Sequence, residues 1–313
     1  MSKDDFKKML ANVEPLDDDQ ADQDVMVLET LKSGYGVIQK AVDETKALIM
    51  AQSPDEPVQG VFSFMPTNLT RISPFFPMSR RELKDHKFKG AMEWETSWGK
   101  ITVISGNKCL SVQDETVLLS LLSLVKKHGS DTLEVSQYEA CKIVNPNPNN
   151  LSYKALWGSL ERLMGTVMKV EVWEGKGRTR KPIEEMMGTI LIFAKRGHKA
   201  GRMKISFNPY FLEMFGAGFI TNLDLKLRAG LKGDISKSLY RFYQGQRDYE
   251  YRCHMLTLAR AINMNLETPI YEIRRLLRKA LSELKRSGYL KRWTMPKDIV
   301  TVWKSAKPAR LVN

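Results

Sequence analysis

The chain has 313 residues, 42% of them hydrophobic and 27% charged, a balance that fits an ordinary globular protein of about two domains and argues against a fibrous or low-complexity chain. Its three cysteines are widely spaced and form no C-x-x-C pair, which speaks against zinc ribbons and disulfide frameworks and suits free thiols in a reducing compartment. The net charge of +13 is unevenly spread: residues 1–57 hold six Lys/Arg against thirteen Asp/Glu, and the remainder 43 basic against 23 acidic, which predicts a basic body that meets a polyanion, nucleic acid before a membrane surface.

Residues 1–57 read as an acidic, mobile arm. Five aspartates lie between positions 17 and 24. Apolar residues at helical spacing follow (Val25, Leu28, Leu31, then Val37, Ile38, Val42, Leu48), interrupted by Gly34 and Gly36, and 51–57 has linker composition. The beginning of the chain lacks the apolar stretch of a signal peptide. The strongly apolar run at 117–125 is too short to span a bilayer. A cytoplasmic protein is expected.

Residues 58–217 form the second region. The aromatic and β-branched stretch 92–104 predicts two strands with a turn at 97–99. Ser111, with Asp114 three residues on, caps a helix whose stripe is Val117, Leu118, Leu121, Leu122 and Val125 and whose stop is Gly129. A short strand at 132–135, a short helix from Ser136 to about 144, a turn at 145–150 and a longer helix at 151–167 come next. Strands at 168–174, 187–194 and 202–207 follow, joined by basic connections at 175–182 and 195–201.

The third region, 218–313, repeats the pattern. A helix over 236–243 is followed by a strand at 253–255 and a helix at 256–264. A long helix, capped by Thr268 with Pro269 at its first position, runs to Arg286, and Gly288 stops it. A hairpin turns around 295–298. The order helix, strand, short helix, longer helix, hairpin is that of the winged helix, a helix-turn-helix variant that binds DNA. Seen twice, it predicts an α+β protein of two tandem winged-helix domains behind an acidic, partly helical N-terminal arm.

The third helix of the last region carries the chemistry. In TPIYEIRRLLRKALSELKR the residues Ile273, Leu276, Leu277, Ala280, Leu281 and Leu284 fall on one side, and Tyr271, Arg274, Arg275, Arg278, Lys279, Ser282 and Lys285 fall largely on the other. Arginine can donate a pair of bonds to guanine O6 and N7, and lysine and serine more often hold phosphates. The hairpin after it adds Lys291, Arg292 and Lys297. In the second region the corresponding helix offers Tyr153, Lys154 and Arg162, and Lys176, Arg178, Arg180 and Lys181 in EGKGRTRKP suggest a wing suited to phosphate.

No H-x-H pair is present among the four histidines (His86, His128, His198, His254), and no G-x-x-x-x-G-K-[ST] phosphate loop occurs. Neither a metal-assisted tyrosine nucleophile nor an ATPase is legible. The expectation is a binding protein rather than an enzyme, with no cofactor.

Residues 75–303 resemble the TrfA-type plasmid replication initiators. The resemblance is carried by FFPMSRRELKD at 75–85, the ITVISG strand and SVQDETVLLSLLSLVKK. It is most specific in GDISKSLYRFYQGQRDYEY, LARAINM and YEIRRLLRKALSELKRSGYLKRW. It implies a plasmid-associated bacterial protein that binds repeated origin sites (iterons) in double-stranded DNA and opens the adjacent duplex. Such a protein would recruit host replication proteins: helicase, chromosomal initiator and sliding clamp. A homodimer in equilibrium with a DNA-binding monomer would limit copy number, with the second region as the dimer contact. Some such initiators carry a clamp-binding peptide of the form Q-L-x-L-F before the first winged helix. Gln59, Phe62 and Phe64 in QGVFSF stand at that place, without the leucines; a strand packed on the core is the other reading. Other functions compatible with the pattern are a winged-helix transcriptional regulator at a promoter operator, a nicking initiator or relaxase, and a nucleoid or RNA-binding protein.

Overall fold

The computed structural model describes residues 62–71, 73–77, 91–95, 99–105, 109–143, 145, 147–174, 181–197, 202–209, 211, 220–246 and 248–305. The predicted acidic arm, and Gln59 with it, lie outside them. In chain order, β1 (Phe62–Pro66), α1 (Thr67–Arg71), β2 (Phe75–Phe76), β3 (Ala91–Glu95), β4 (Gly99–Ser105) and β5 (Leu110–Ser111) lead into α2 (Val112–His128). The helix starts where the sequence says it should. Ser111 accepts from the Asp114 amide, the Asp114 carboxylate accepts from the Ser111 amide at 2.7 Å, and Gly129 ends the helix in the left-handed conformation at φ 64°. Its burial exceeds the predicted stripe, because Leu119 and Leu124 are covered as well as Leu118 and Leu121. This helix is central, with neighbours on every side, and a one-sided amphipathic pattern does not describe it.

After α2 come β6 (Thr132–Ser136), α3 (Gln137–Lys142), α4 (Asn150–Met164), β7 (Thr166–Glu174), β8 (Lys181–Thr189), β9 (Leu191–Arg196) and β10 (Arg202–Phe207). One strand had been expected at 187–194; the chain instead breaks at buried Ile190 and changes sheet there. β8 pairs with β7 in a four-stranded sheet of order β3-β4-β7-β8, and β9 pairs with β10 in a three-stranded sheet of order β6-β10-β9.

The last part contains β11 (Ile220–Asp224), α5 (Leu225–Gly230), α6 (Asp234–Gln244), β12 (Glu250–His254), α7 (Met255–Ala261), α8 (Ile270–Arg286), β13 (Leu290–Thr294) and β14 (Ile299–Lys304). Pro269, not Thr268, occupies the position before α8, and no side chain caps it. The sheet order β12-β14-β13 repeats that of β6-β10-β9. The succession helix, strand, helix, helix, hairpin therefore occurs twice, once from α2 to β10 and once from α6 to β14, with the β7–β8 hairpin inserted in the first.

The predicted boundary at 217 and 218 is crossed by main-chain bonds. β1 pairs antiparallel with β11, from Phe62 opposite Asp224 to Pro66 opposite Ile220. One hydrophobic cluster runs from Met65 through Leu121 and Leu239 to Val302. Gly245, at the end of α6, lies so close to α1 that a Cβ there would run into Thr70, and Arg71 Nε donates to the Gly245 carbonyl at 2.9 Å.

Charge is buried at this junction. Glu115 on α2 accepts from Arg241 on α6 at 2.8 Å and pairs with Arg228 on α5 at 3.1 Å, and all three side chains are essentially inaccessible. Arg228 also donates to Thr116 Oγ1 at 3.3 Å and to the Lys237 carbonyl at 3.2 Å. Removing one member of such a group strands the others in a low-dielectric interior. Glu115→Gln is expected to lower unfolding free energy by about 3–5 kcal/mol in urea titrations, and replacing all three residues by apolar ones of similar volume by much less.

Lys304 is buried and donates to the Gln246 carbonyl at 2.6 Å, and its burial pushes the amine down to about 8. The unfolded chain then binds more protons than the folded one between about pH 8 and the ordinary lysine value near 10.4. This lysine adds an upward slope to stability across that window. Lys304→Met is expected to lose that part of the slope in denaturation curves taken from pH 7.5 to 10.5.

Candidate nucleic-acid interface

Helix α8 turns Ile273, Leu277, Ala280, Leu281 and Leu284 inward, with Leu276 half-buried. Glu283 also has an inward task. Its carboxylate accepts from the Lys232 amide and the Ser236 hydroxyl, each at 2.5 Å, and from the Gly233 amide at 3.4 Å, and so satisfies donors at the start of α6. The remaining face is basic and open. Tyr271 is 67% exposed, Arg275, Arg278, Lys279 and Lys285 are exposed, and Ser282 is half-buried.

Two of the predicted arginines are engaged by acids. Arg274 gives Nε and Nη2 to the two carboxylate oxygens of Asp298, at 2.7 and 2.8 Å. Asp298 lies at the tip of the β13–β14 hairpin, so the pair ties the helix to the hairpin. Its carboxyl is held below the usual range, first by the bonds from Arg274, with His254 and Arg278 adding attraction. Arg275 gives the same two-bond grip to Glu272, one turn earlier, at 2.7 and 2.5 Å. No side-chain hydrogen bond or ion pair is formed by Arg278, Lys279 or Lys285 among the described residues, so their charges are open to a polyanion.

On the hairpin, Lys291 and Lys297 are exposed. Lys297 and Asp298 occupy the left-handed region at φ 47° and 62°, unusual for residues with side chains. Arg292 lies over the Trp303 ring, 3.8 Å from its centroid, and the indole N–H donates to Glu250 at 2.8 Å. The hairpin surface is thus basic and also internally braced.

The first unit corrects the sequence reading in two places. Arg162 on α4 donates to Asp114 through Nε and Nη2 at 2.9 and 2.7 Å, which makes it a brace between α4 and α2. Tyr153 packs against the core and Lys154 is exposed. The segment EGKGRTRKP, expected as a wing, does not stand where the β13–β14 hairpin stands in the second unit. It joins β7 to β8 in the four-stranded sheet, whereas the hairpin equivalent to β13–β14 is β9–β10. Lys181 is exposed at the start of β8; Lys176, Arg178 and Arg180 lie outside the described residues. The residues at the equivalent hairpin are Lys195, Arg196 and Arg202, all exposed. Their signal was legible as the basic, glycine-containing stretch KRGHKAGR at 195–202, which resembles the other turn in composition.

Phe62 and Phe64 belong to β1, whose main chain is paired to β11. Ser63 and Met65 of the same strand are buried, and Ser63 Oγ donates to the Leu119 carbonyl at 2.7 Å. That part of the clamp-binding candidate is a strand of the fold.

Among the described residues, no group of three or more His, Cys, Asp or Glu side chains is placed to hold a metal ion, and no helix is long and apolar enough to cross a membrane.

Residues 100–244 match the family model described as Initiator Replication protein, WH1. The matched segment runs from β4 to α6. The fold is similar to that of domains 2 and 3 of RctB, at a TM-score of 0.53 and 14% identity, over 77% of this chain and 99% of that one. A second structure of RctB domains 2–3 aligns at 0.49 and 11%, over 69% and 92%. The crystal structure of the Pi initiator protein in complex with iteron DNA aligns at 0.45 and 14%, over 62% and 90%. No curated protein matches the chain at a significant level.

The Arg274–Asp298 pair holds the hairpin tip against α8. Arg274→Ala leaves the Lys297–Asp298 peptide unchanged in sequence but releases the tip. Trypsin is expected to cut after Lys297 faster in this variant than in the wild type, as read by timed digestion and mass spectrometry.

Proposed function

We propose that this chain is a sequence-specific double-stranded DNA-binding protein, built from two winged-helix units, that initiates plasmid replication at repeated origin sites. The observation that carries the reading is the open basic face of α8. It lies third in a helix, strand, helix, helix, hairpin unit and exposes Arg275, Arg278, Lys279 and Lys285. A helix in that position lies in the major groove when such a unit binds DNA, and its hairpin lies along the backbone. The match of residues 100–244 to an initiator model supports replication over promoter control.

In this reading the second unit reads bases through α8, and the first holds phosphates through Lys154 and the β9–β10 hairpin. The chain acts by binding rather than by bond chemistry, in the bacterial cytoplasm. The finer reading is a TrfA-type initiator that recruits host replication proteins such as helicase, chromosomal initiator and clamp, and whose dimer–monomer balance limits copy number. That reading rests on the motifs quoted from the sequence.

The test is binding, over a salt series, to the duplex the protein selects from a random-sequence pool and to a scrambled duplex. Alanine at Arg275 and Arg278 together is expected to reduce the preference for the selected duplex, by about 1–3 kcal/mol for each lost base contact. Alanine at Lys285 is expected to weaken both complexes and to lower the salt slope by about one unit. Equal, steeply salt-dependent binding to both duplexes would mean phosphate attraction alone and overturn the reading. For an initiator, the selected sequence recurs as direct repeats in the plasmid that encodes the protein; a single operator copy beside a promoter would favour a regulator.

A further inference from the structure

Asp298 is an acid at the edge of a surface that otherwise gathers positive charge. It is the only partner among the described residues that grips an α8 arginine from outside the helix. The Glu272–Arg275 pair is three residues apart on one helix, an ordinary surface arrangement. The Arg274–Asp298 pair joins elements 24 residues apart and is bidentate. We propose that Asp298 is a positioning residue that aims the Arg274 guanidinium at one guanine of the bound duplex. The inference rests on the DNA-binding reading and deepens it.

The chemistry of the guanidinium supports this. Of its five N–H groups, Asp298 takes the Nε hydrogen and one on Nη2, which lie on the same edge. The edge formed by Nη1 and Nη2 is left, and that edge has the spacing to donate to guanine O6 and N7 together. The side chain keeps 32% of its exposure, so the pair is braced without being covered. A free arginine must give up most of its rotamer freedom when it meets a base. One already clamped by a carboxylate has given it up in folding.

The clamp is itself held. His254 at the end of β12, and Arg274 and Arg278 on α8, are the charged and titratable groups that act on the Asp298 carboxylate. Lys297 and Asp298 both hold left-handed backbone at the turn, so the carboxylate is presented by a defined tip. A negative charge here disfavours phosphate, which raises discrimination at the expense of non-specific affinity.

Single guanines of the selected duplex are replaced in turn by 7-deazaguanine, which lacks the N7 acceptor, and dissociation constants are measured for wild type, Arg274→Ala, Asp298→Ala, Asp298→Asn and Asp298→Glu. The wild type is expected to lose about tenfold in affinity at one particular guanine. Arg274→Ala and Asp298→Ala are expected to bind the unmodified duplex more weakly and to be indifferent to that substitution. Asp298→Ala is expected to bind scrambled duplex as well as the wild type or better, and Asp298→Glu to restore part of the sensitivity. Asp298→Asn keeps the side-chain size and gives the same comparison where alanine unsettles the turn, with thermal melting as the check on folding. The inference is overturned if Asp298→Ala and Asp298→Asn keep the full 7-deazaguanine response. It is equally overturned if Arg274→Ala responds like the wild type at every guanine, which would make the pair a structural latch. If the wild type prefers no duplex over scrambled DNA, the DNA reading fails first, and the inference with it.

Discussion

Glu115 sits on the helix at the centre of the first unit, and the two arginines that meet its carboxylate come from the segment and helix that begin the second. Three charges are thereby removed from water, at a cost of several kcal/mol for each ion that only close mutual contacts offset. An apolar contact tolerates sliding, but a buried charge with oriented donors does not. The β1–β11 pairing and the Arg71–Gly245 bond cross the same junction. The helices α4 and α8 are consequently presented in a fixed relation.

The charges of α8 divide by partner, and the division has a physical meaning. Arg274 and Arg275 are neutralised locally by Asp298 and Glu272, while Arg278, Lys279 and Lys285 carry no such partner among the described residues. Unpaired cations provide long-range attraction, which is screened by salt and blind to sequence. Paired arginines offer less attraction and more geometry, since their planar forks are already oriented. A surface that combines the two offers a polyanion both long-range attraction and oriented donors.

Much of this was legible because the signals were local. Ser111 and Asp114 announced the start of α2, Gly129 its end, and the spacing of Ile273, Leu277 and Leu284 the buried side of α8. What failed was non-local. Glu115, Arg228 and Arg241 look like surface charges in sequence, since nothing in their spacing says that a carboxylate will meet guanidiniums more than a hundred residues away. Arg162 read as a DNA contact because it lies on the first unit's third helix, until Asp114, 48 residues earlier, claimed it. The hairpin of the first unit that corresponds to β13–β14 was not singled out for a related reason: two basic, glycine-bearing turns occur in succession, and only strand order tells which one stands where β13–β14 stands in the second unit.

That strand order also bears on how the two units differ. Both have the same sheet arrangement and the same helix succession, and in each the third helix is longer than the second. Their third helices diverge in chemistry. α4 presents Asn150, Leu151 at 77% exposure, Lys154 and Glu161, whereas α8 presents a nearly continuous cationic face. Of the two third helices, the more cationic one therefore belongs to the second unit. In the first, the one arginine of α4, Arg162, braces that helix to α2. A unit that devotes the arginine of its third helix to internal rigidity, and buries its own Glu115 against its neighbour, is arranged as the frame on which the more basic helix is held.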